Sequence, residues 1–476
     1  MNAPSPSLAS DLIDRFAAIV GPGYALRGAQ EIVPFLTEPR DLFHGRTSLV
    51  LRPGSVEEVA AIVRLANETR TPIVPQGGNT GLVGGQVPDA SGAAIIVSLS
   101  RLNRVRKVDP GADAMIVEAG VILADAQAAA AKADRLFPLS LAAEGSAQIG
   151  GNLSTNAGGT AVLAYGNSRD LVLGLEVVLA SGEVWNGLRT LRKDNTGYDL
   201  KNLFIGAEGT LGIITAAALK LFPRPRGVGT AFVGVADPDA ALALFHRARA
   251  KAGQSLTSFE IMSRLCVDFV FRHLPGTRDP LTGRHNWYVL FEISSGSSDA
   301  DARALVEAIF AEGAGAGLIE DGVLAETIEQ ARALWHIRHG IPDVQKFEGG
   351  SIKHDVSVPV AAVPELLRRG IARMAEFMPG ARPVPFGHIG DGNMHFNFTQ
   401  PPDMDKQAFL ARWQDVNALI HEIVGELGGS VSAEHGIGQL KRALLPQFKS
   451  QVELEMMRKI KAALDPNGIF NPGKVL

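Results

Sequence analysis

Residues 385–398 read PFGHIGDGNMHFNF, and residues 432–438 read SAEHGIG. Two histidines flank an Asp-Gly turn, and a Glu-His pair sits beside glycines. With Gly390-Asp391-Gly392-Asn393 as the turn, VPFGHI and MHFNF form a hairpin in which His388 pairs with His395. The two imidazoles then lie opposite one another, and period-two alternation adds Asn397 to the same face. Two imidazoles and the carboxylate of Glu434 make a donor set for a divalent ion such as zinc, with one coordination position left open for a substrate. Two partly buried histidines stacking on Phe386 or Phe396 would leave the same pattern. His435 is the candidate base, because a reference pKa of about 6.5 suits proton removal near neutral pH. A cation assists, since it lowers the pKa of a bound water from about 15.7 to about 7 and acts on a bound hydroxyl in the same direction.

The elements that must hold these residues need a long chain. The 476 residues imply two domains, each able to bury its own core. Ser55 to Glu58 is a capping box that opens a helix, SVEEVAAIVRLANETR, followed by a short strand TPIV at 71–74. AAIIVSL, RVRKV and AMIVEAG, within 93–120, read as further strands, ILADAQAAAAKADR as a second helix, and LVLGLEVVLA (171–180) as a long strand. The Pro and Arg cluster at 223–227 marks a boundary. Beyond it, TAFVGVAD (230–237), a helix at 238–251 and TSFEIM (257–262) form one β-α-β pattern. WYVLFEIS (287–294), a helix near 299–312 and GLIED (317–321) form another, which implies a small sheet with helices on one face. Helices are expected near 326–338, 361–378, 404–427 and 450–464.

Glycine is abundant, at 52 residues, and it is clustered. PQGGNTGLVGGQ (75–86) follows a strand, and its bare backbone N–H groups suit a pyrophosphate. It is not a G-x-G-x-x-G fingerprint. EGSAQIGGNLSTNAGGTAVLAYGNSRD (144–170) is long and dotted with hydroxyls and amides. That composition suits backbone packed flat against a large planar polar ligand. FIGAEGTLGIIT (204–215) ends in a strand. GIFNPGKV at 468–475 fits G-x-x-x-x-G-K, but Val475 stands where a Ser or Thr would hold magnesium, so it is no P-loop.

Taken in order, PQGGNTGLVGG, GGNLSTNAGGTAVLAYGNSRDLVLGLEVVLASGE, IGAEGTLGIIT, FGHIGDGNMHFNF, SAEHGIG and LDPNGIFNPGKVL resemble the FAD-linked D-2-hydroxyacid dehydrogenases. That family spans D-lactate, D-2-hydroxyglutarate and glycolate dehydrogenases, within the vanillyl-alcohol-oxidase-like flavoproteins. The resemblance runs from about residue 40 to the end. It implies an α+β fold: a two-lobed PCMH-type FAD-binding domain over 1–225 (core about 42–224), an α+β cap domain with an antiparallel sheet and the metal site over 226–450, and a segment 451–476 that returns to the FAD domain. It also implies FAD contacts by Gly77, Gly78, Asn79, Thr80 and Gly81, by Ser146, Gly150, Gly151, Asn152, Ser154, Thr155, Asn156 and Gly159, and by Ile214. Asn79 stands where some relatives carry a flavin-tethering His, so FAD is expected to be non-covalent.

The same resemblance makes His388, His395 and Glu434 metal ligands, and Arg338 and Lys353 substrate contacts; Asn397, on the hairpin face of the two histidines, is the third candidate substrate contact. Arg338 supplies the bidentate fork that carboxylate recognition favours. The reaction it implies is oxidation of a D-2-hydroxy acid to the 2-oxo acid, with the proton taken by His435 and hydride passed to flavin N5. Candidate substrates, in order, are D-2-hydroxyglutarate, D-lactate and glycolate. Pro342 stands where hydroxyl-bearing residues occur in dicarboxylate-oxidising relatives. The electrons would pass to a quinone, an electron-transfer flavoprotein or a partner subunit, and a homodimer is compatible.

Other classes fit less well. A net charge of −4 gives no basic surface for nucleic acid. The single cysteine, Cys266, makes no internal disulfide or thiolate cluster and fits a reducing compartment. The start, MNAPSPSLASDLIDRF, carries no basic n-region followed by an apolar h-region, and no stretch reaches the roughly 20 apolar residues of a membrane span, so a cytoplasmic protein is expected. Two rivals share the residues: a flavin-free metal-dependent hydrolase, and an FAD-binding subunit of a glycolate-oxidase-like electron-transfer complex.

Overall fold

A computed structural model describes residues 8–476, so the first seven residues of the stretch read for targeting signals lie outside the described residues. The chain forms two units. One takes the residues up to Gly159 together with Gly166–Arg224 and Glu434–Leu476; the other takes Thr160–Tyr165 and Pro225–Ala433.

The first unit carries two sheets. In one, the order is Ala25–Leu26, Val50–Leu51, Ile95–Ser98, Ile73–Gln76. Val50–Leu51 and Ile73–Gln76 both run parallel to Ile95–Ser98, which lies between them, and a helix crosses over to join the two. The crossover helix is Val56–Thr69. Ser55 Oγ accepts from the Glu58 backbone N–H at its start, and Arg70, at φ 53°, ends it. Its apolar face buries Val59, Ile62, Val63 and Ala66. Strand Ile73–Gln76 is the rail that delivers the chain into the first glycine tract.

The other sheet of this unit is antiparallel: Val105–Asp109, Ala114–Glu118, Ile213–Lys220, Val172–Val178, Val184–Asn186. Chain-terminal residues complete the unit. Ile469 and Phe470 are buried in its core, the Ile73 N–H donates to the Ile469 carbonyl at 2.8 Å, and the Asn471 N–H donates to the Ile73 carbonyl at 2.8 Å.

The second unit is built on an eight-stranded antiparallel sheet, larger than the small sheet expected. Its path runs Asp321–Leu324, Gly227–Val235, Trp287–Ser295, Leu256–Ser263, Arg382–His388, Asn393–Thr399, Ser351–Ile352, with Val356–Ser357 also paired to Asn393–Thr399. Three expectations shift. GLIED is mostly the turn after helix Asp299–Gly315, because Gly317 takes φ 70°, and the strand begins at Asp321. The helix near 404–427 is two, Lys406–Leu410 and Trp413–Glu426. Helix Arg264–His273, absent from the sequence reading, follows Leu256–Ser263 directly. Among the described residues no helix is long and apolar enough to cross a membrane.

Two positions test this packing. Gly370 lies within helix Val363–Phe377, where an added methyl would improve helix propensity by about 1 kcal/mol. Its Cβ would lie 2.1 Å from the Phe396 ring, and overpacking of a buried ring costs about 1–3 kcal/mol. Gly370→Ala is therefore expected to lower the melting midpoint, read by calorimetry; a rise would contradict the packing. Burial pushes the Cys266 thiol up to about 12, against hydrogen bonding from Ser263. A thiol reagent at pH 8 is expected to leave native protein unlabelled and to modify one site after denaturation.

Candidate functional site

Within the first unit, the two sheets and three glycine segments border a cleft. The first tract lines it with Gly77, Gly78, Asn79, Thr80 and Gly81, and the second with Gly150, Gly151, Asn152, Ser154 and Thr155. Ile214 lines it from strand Ile213–Lys220. Ser146, Asn156 and Gly159 stand behind the wall instead. A Cβ on Gly78 would lie 1.9 Å from the Ser146 carbonyl oxygen, so the first tract packs backbone to backbone on the second. A Cβ on Gly159 would lie 1.8 Å from the Ser140 carbonyl oxygen, and Asn156 Oδ1 accepts from the Arg169 N–H at 2.9 Å.

The second tract includes a helical turn that its glycines conceal. Residues Ile149–Ser154 form a short helix, tethered by the Ile149 N–H to the Val121 carbonyl (2.9 Å) and the Gly150 N–H to the Ala119 carbonyl (2.7 Å). Gly150 is required at that approach, because its Cβ would lie 2.7 Å from that of Ala119.

Glu434 and His435 line the same cleft. The loop that follows them is pinned by Glu208, a residue that the sequence reading passed over. The Glu208 carboxylate accepts from the Ile437 N–H at 2.7 Å and the Gly438 N–H at 2.8 Å. Gly436 and Gly438 take φ 81° and 51°, and a Cβ on Gly436 would meet that carboxylate at 2.7 Å. Glu208 is itself left-handed, at φ 51°. Its N–H donates to the Ser154 carbonyl (2.8 Å) and its carbonyl accepts from Asn471 Nδ2 (2.8 Å). Burial pushes its carboxyl up from the ordinary value, while the two N–H groups and the Lys441 charge pull it down.

The second unit holds the hairpin Arg382–His388/Asn393–Thr399. The expected register is corrected here: His388 pairs with Asn393, and His395 pairs with Phe386. The turn closes one residue earlier than read. The His388 carbonyl accepts from the Asp391 and Gly392 N–H groups, Asp391 Oδ1 accepts from the Asn393 N–H, and Gly392 takes the left-handed φ of 84°. The slip of the register is even, so both imidazoles stay on one face as diagonal neighbours, with ring centroids 5.8 Å apart. His395 also lies 5.0 Å from the Phe386 ring.

Beside the hairpin, Arg338, on helix Ile328–Val344, is buried and gives its Nε–H to Glu260 Oε2 at 2.8 Å. Lys353 Nζ donates to the Pro342 carbonyl at 3.3 Å. Pro342 sits inside that helix and has no N–H to give the Arg338 carbonyl. Asn397 accepts from the His354 N–H and donates to Gln345 Oε1, each at 3.1 Å.

Glu260, also passed over, is fully buried on strand Leu256–Ser263 and pairs across the sheet with His388. Its Oε1 lies 2.6 Å from His388 Nδ1. Burial alone would raise its carboxyl, but the His388 and Arg338 groups outweigh that and hold it at about 2. A charged residue in the middle of the apolar run TSFEIM was the available signal. The chain leaves this unit at Ala433, whose N–H reaches the Asp355 carbonyl (3.4 Å), and Glu434 is the next residue.

Comparisons with known proteins decide the family. Residues 224–475 match the family described as FAD linked oxidases, C-terminal domain, and residues 47–187 match FAD binding domain. The mitochondrial D-2-hydroxyglutarate dehydrogenase of Arabidopsis thaliana is 37% identical over 470 residues, covering 99% of this chain and 82% of that protein. Its counterpart of the same name from Danio rerio is 40% identical over 436 residues, covering 91% and 79%. The chain belongs to the FAD-linked D-2-hydroxyacid dehydrogenase family.

This dehydrogenase is thus an FAD-linked oxidoreductase, which removes the flavin-free hydrolase. The structure of 4-ethylphenol oxidase from Gulosibacter chungangensis shares its PCMH-type fold, with a TM-score of 0.72 at 20% identity, covering 100% of this chain and 98% of that one. The cleft fits the cofactor's chemistry. Asn79 Oδ1, Gln148 Oε1 and Asn152 Nδ2 are buried there without a protein partner, two acceptors and a donor beside bare backbone. Gln148 lies inside the second tract, but the sequence does not single it out among the tract's polar residues. Gly78→Ala in this dehydrogenase is expected to force the two tracts apart and lower the ratio of flavin to protein absorbance after purification; unchanged flavin content would remove the close approach from the account.

Proposed function

We propose that this dehydrogenase oxidises a D-2-hydroxy acid to its 2-oxo acid, with D-2-hydroxyglutarate the first candidate and D-lactate and glycolate after it. The observation that carries the reading is that His435 lines the cleft bordered by both glycine tracts. When bound, FAD supplies a two-electron acceptor at N5 and a divalent ion, zinc by its donor set, supplies Lewis acidity to the substrate hydroxyl. In this reading the unit with the glycine tracts binds FAD and also carries Glu434–Leu476, and the unit with the eight-stranded sheet binds the substrate.

Each polar residue then has a task. His388, His395 and Glu434 hold the ion; two imidazoles and a carboxylate match what zinc takes in sites that keep an open position. Arg338 spends Nε on Glu260 and offers its two Nη groups to the substrate carboxylate. Lys353, directed at the Pro342 carbonyl, and Asn397, which has a second amide hydrogen, are assigned to the substrate. His435 takes the hydroxyl proton as the carbon-bound hydrogen departs with its electron pair. The loop pinned by Glu208 keeps that imidazole from wandering, which matters because misplacement of about 1 Å costs about 100-fold.

Two of the residues bear on substrate choice. The D-2-hydroxyglutarate assignment is supported by the names of the similar proteins. Pro342 offers no hydroxyl to a second carboxylate, so Lys353, held at the Pro342 carbonyl, is the side chain we assign to it. Turnover requires an electron acceptor, which we take to be a quinone, an electron-transfer flavoprotein or a partner subunit.

Anaerobic titration with a panel of D-hydroxy acids is expected to bleach the flavin absorbance, D-2-hydroxyglutarate at the lowest concentration. His435→Ala is expected to slow that bleaching by about 10²–10⁴-fold while flavin content stays as in the wild type. Bleaching at the wild-type rate would refute the base. Dialysis against a chelator is expected to abolish bleaching and added zinc to restore it; indifference to chelator would end the metal assignment.

A further inference from the structure

Glu260 is a buried carboxylate that both of its neighbours need. One oxygen faces His388 Nδ1 at 2.6 Å and the other accepts the Arg338 Nε–H at 2.8 Å. The first contact is set by the sheet, since Glu260 and His388 are cross-strand partners. The second comes from helix Ile328–Val344, and the Arg338 guanidinium lies 4.8 Å over the Phe386 ring, which limits its tilt. The carboxylate therefore touches one side chain read as a metal ligand and one read as a substrate cation.

We propose that Glu260 is the positioning residue that orients both, an inference that rests on the metal and substrate roles given above to His388 and Arg338. A carboxylate oxygen at 2.6 Å from Nδ1 makes that nitrogen the proton-bearing one and leaves the Nε2 lone pair as the outward donor. On Arg338, anchoring through Nε turns the edge bearing both Nη groups away from Glu260, the edge that grips a carboxylate with two parallel N–H bonds. Only a carboxylate serves both partners. In the wild type each partner donates, and a glutamine in the same place has one acceptor and one donor, so it must either break one of the two contacts or turn His388 to the tautomer that carries its proton on Nε2. A merely structural ion pair would fix the same tautomer, but its loss would leave zinc affinity and KM unmoved.

The test compares wild type, His388→Ala and Glu260→Gln. Zinc affinity is measured by competition with a chromophoric chelator, and KM for the hydroxy acid is measured separately from kcat. Flavin content and melting midpoint serve as checks on folding. Glu260→Gln is expected to bind zinc about 10- to 100-fold more weakly, or to raise KM about tenfold, according to which contact the amide breaks. If His388→Ala loses zinc while Glu260→Gln keeps wild-type zinc affinity and KM, the positioning role is overturned and the metal reading stands. If His388→Ala binds zinc as the wild type does, the metal reading falls and takes this inference with it.

A second measurement does not depend on the variant folding. Nitrogen-15 NMR of histidine-labelled, zinc-free wild type, with His388 assigned by its loss in His388→Ala, is expected to find the proton on Nδ1. A proton on Nε2 would overturn the inference.

Discussion

The arrangement of the first unit turns on the contact between the Glu208 carboxylate and the N–H groups of Ile437 and Gly438. Leaving such buried donors unpaired costs about 1–3 kcal/mol apiece, so the loop after His435 has little freedom to leave. The same residue reaches the second glycine tract through its own N–H and the chain terminus through its carbonyl. Three stretches far apart in sequence are thereby held to one residue, and that residue pays with a left-handed backbone. Glycines could relieve that strain, but none could supply the carboxylate.

A carboxylate does comparable work in the sheet of the second unit. Glu260 sits where an apolar residue would pack well, and the burial of its charge is offset by Arg338 and His388. A buried ion pair of this kind is weak evidence for stability, because apolar replacements often do as well. We read its place there as a demand of orientation. Pro342, four residues beyond Arg338 in the same helix, loosens the hydrogen-bond ladder next to the guanidinium, and its carbonyl accepts from Lys353.

Much of this was legible in the residues. Long helices with caps, such as Val56–Thr69 behind Ser55, and strands rich in aromatic and aliphatic residues, such as Trp287–Ser295, declare themselves locally. The hairpin and its two histidines were visible from the Asp-Gly turn, and the face they share survived an error in register because the error was even. Helix Ile149–Ser154 was hidden because Gly150 and Gly151 are poor helix formers, the first of them needed for the close approach to Ala119. Helix Arg264–His273 was hidden because it starts without a loop after a strand. Glu208 and Glu260 were hidden for another reason: the hydrogen-bond partners of their carboxylates lie from 78 to 230 positions away, and no local pattern reports such a pairing.

The division of the chain has a consequence for how the protein is made. The first unit is interrupted by Pro225–Ala433 and cannot be finished until Glu434–Leu476 has been translated. At ribosomal rates of roughly 5–20 residues per second, that interruption lasts on the order of ten seconds or more. During it, strand Ile73–Gln76 waits for Phe470, and the buried faces that Ile469 and Phe470 will cover stand open. The nascent polypeptide is therefore most exposed to chaperones and proteases in the part made before that interruption, and the cleft between the glycine tracts acquires His435 only after the second unit has been made.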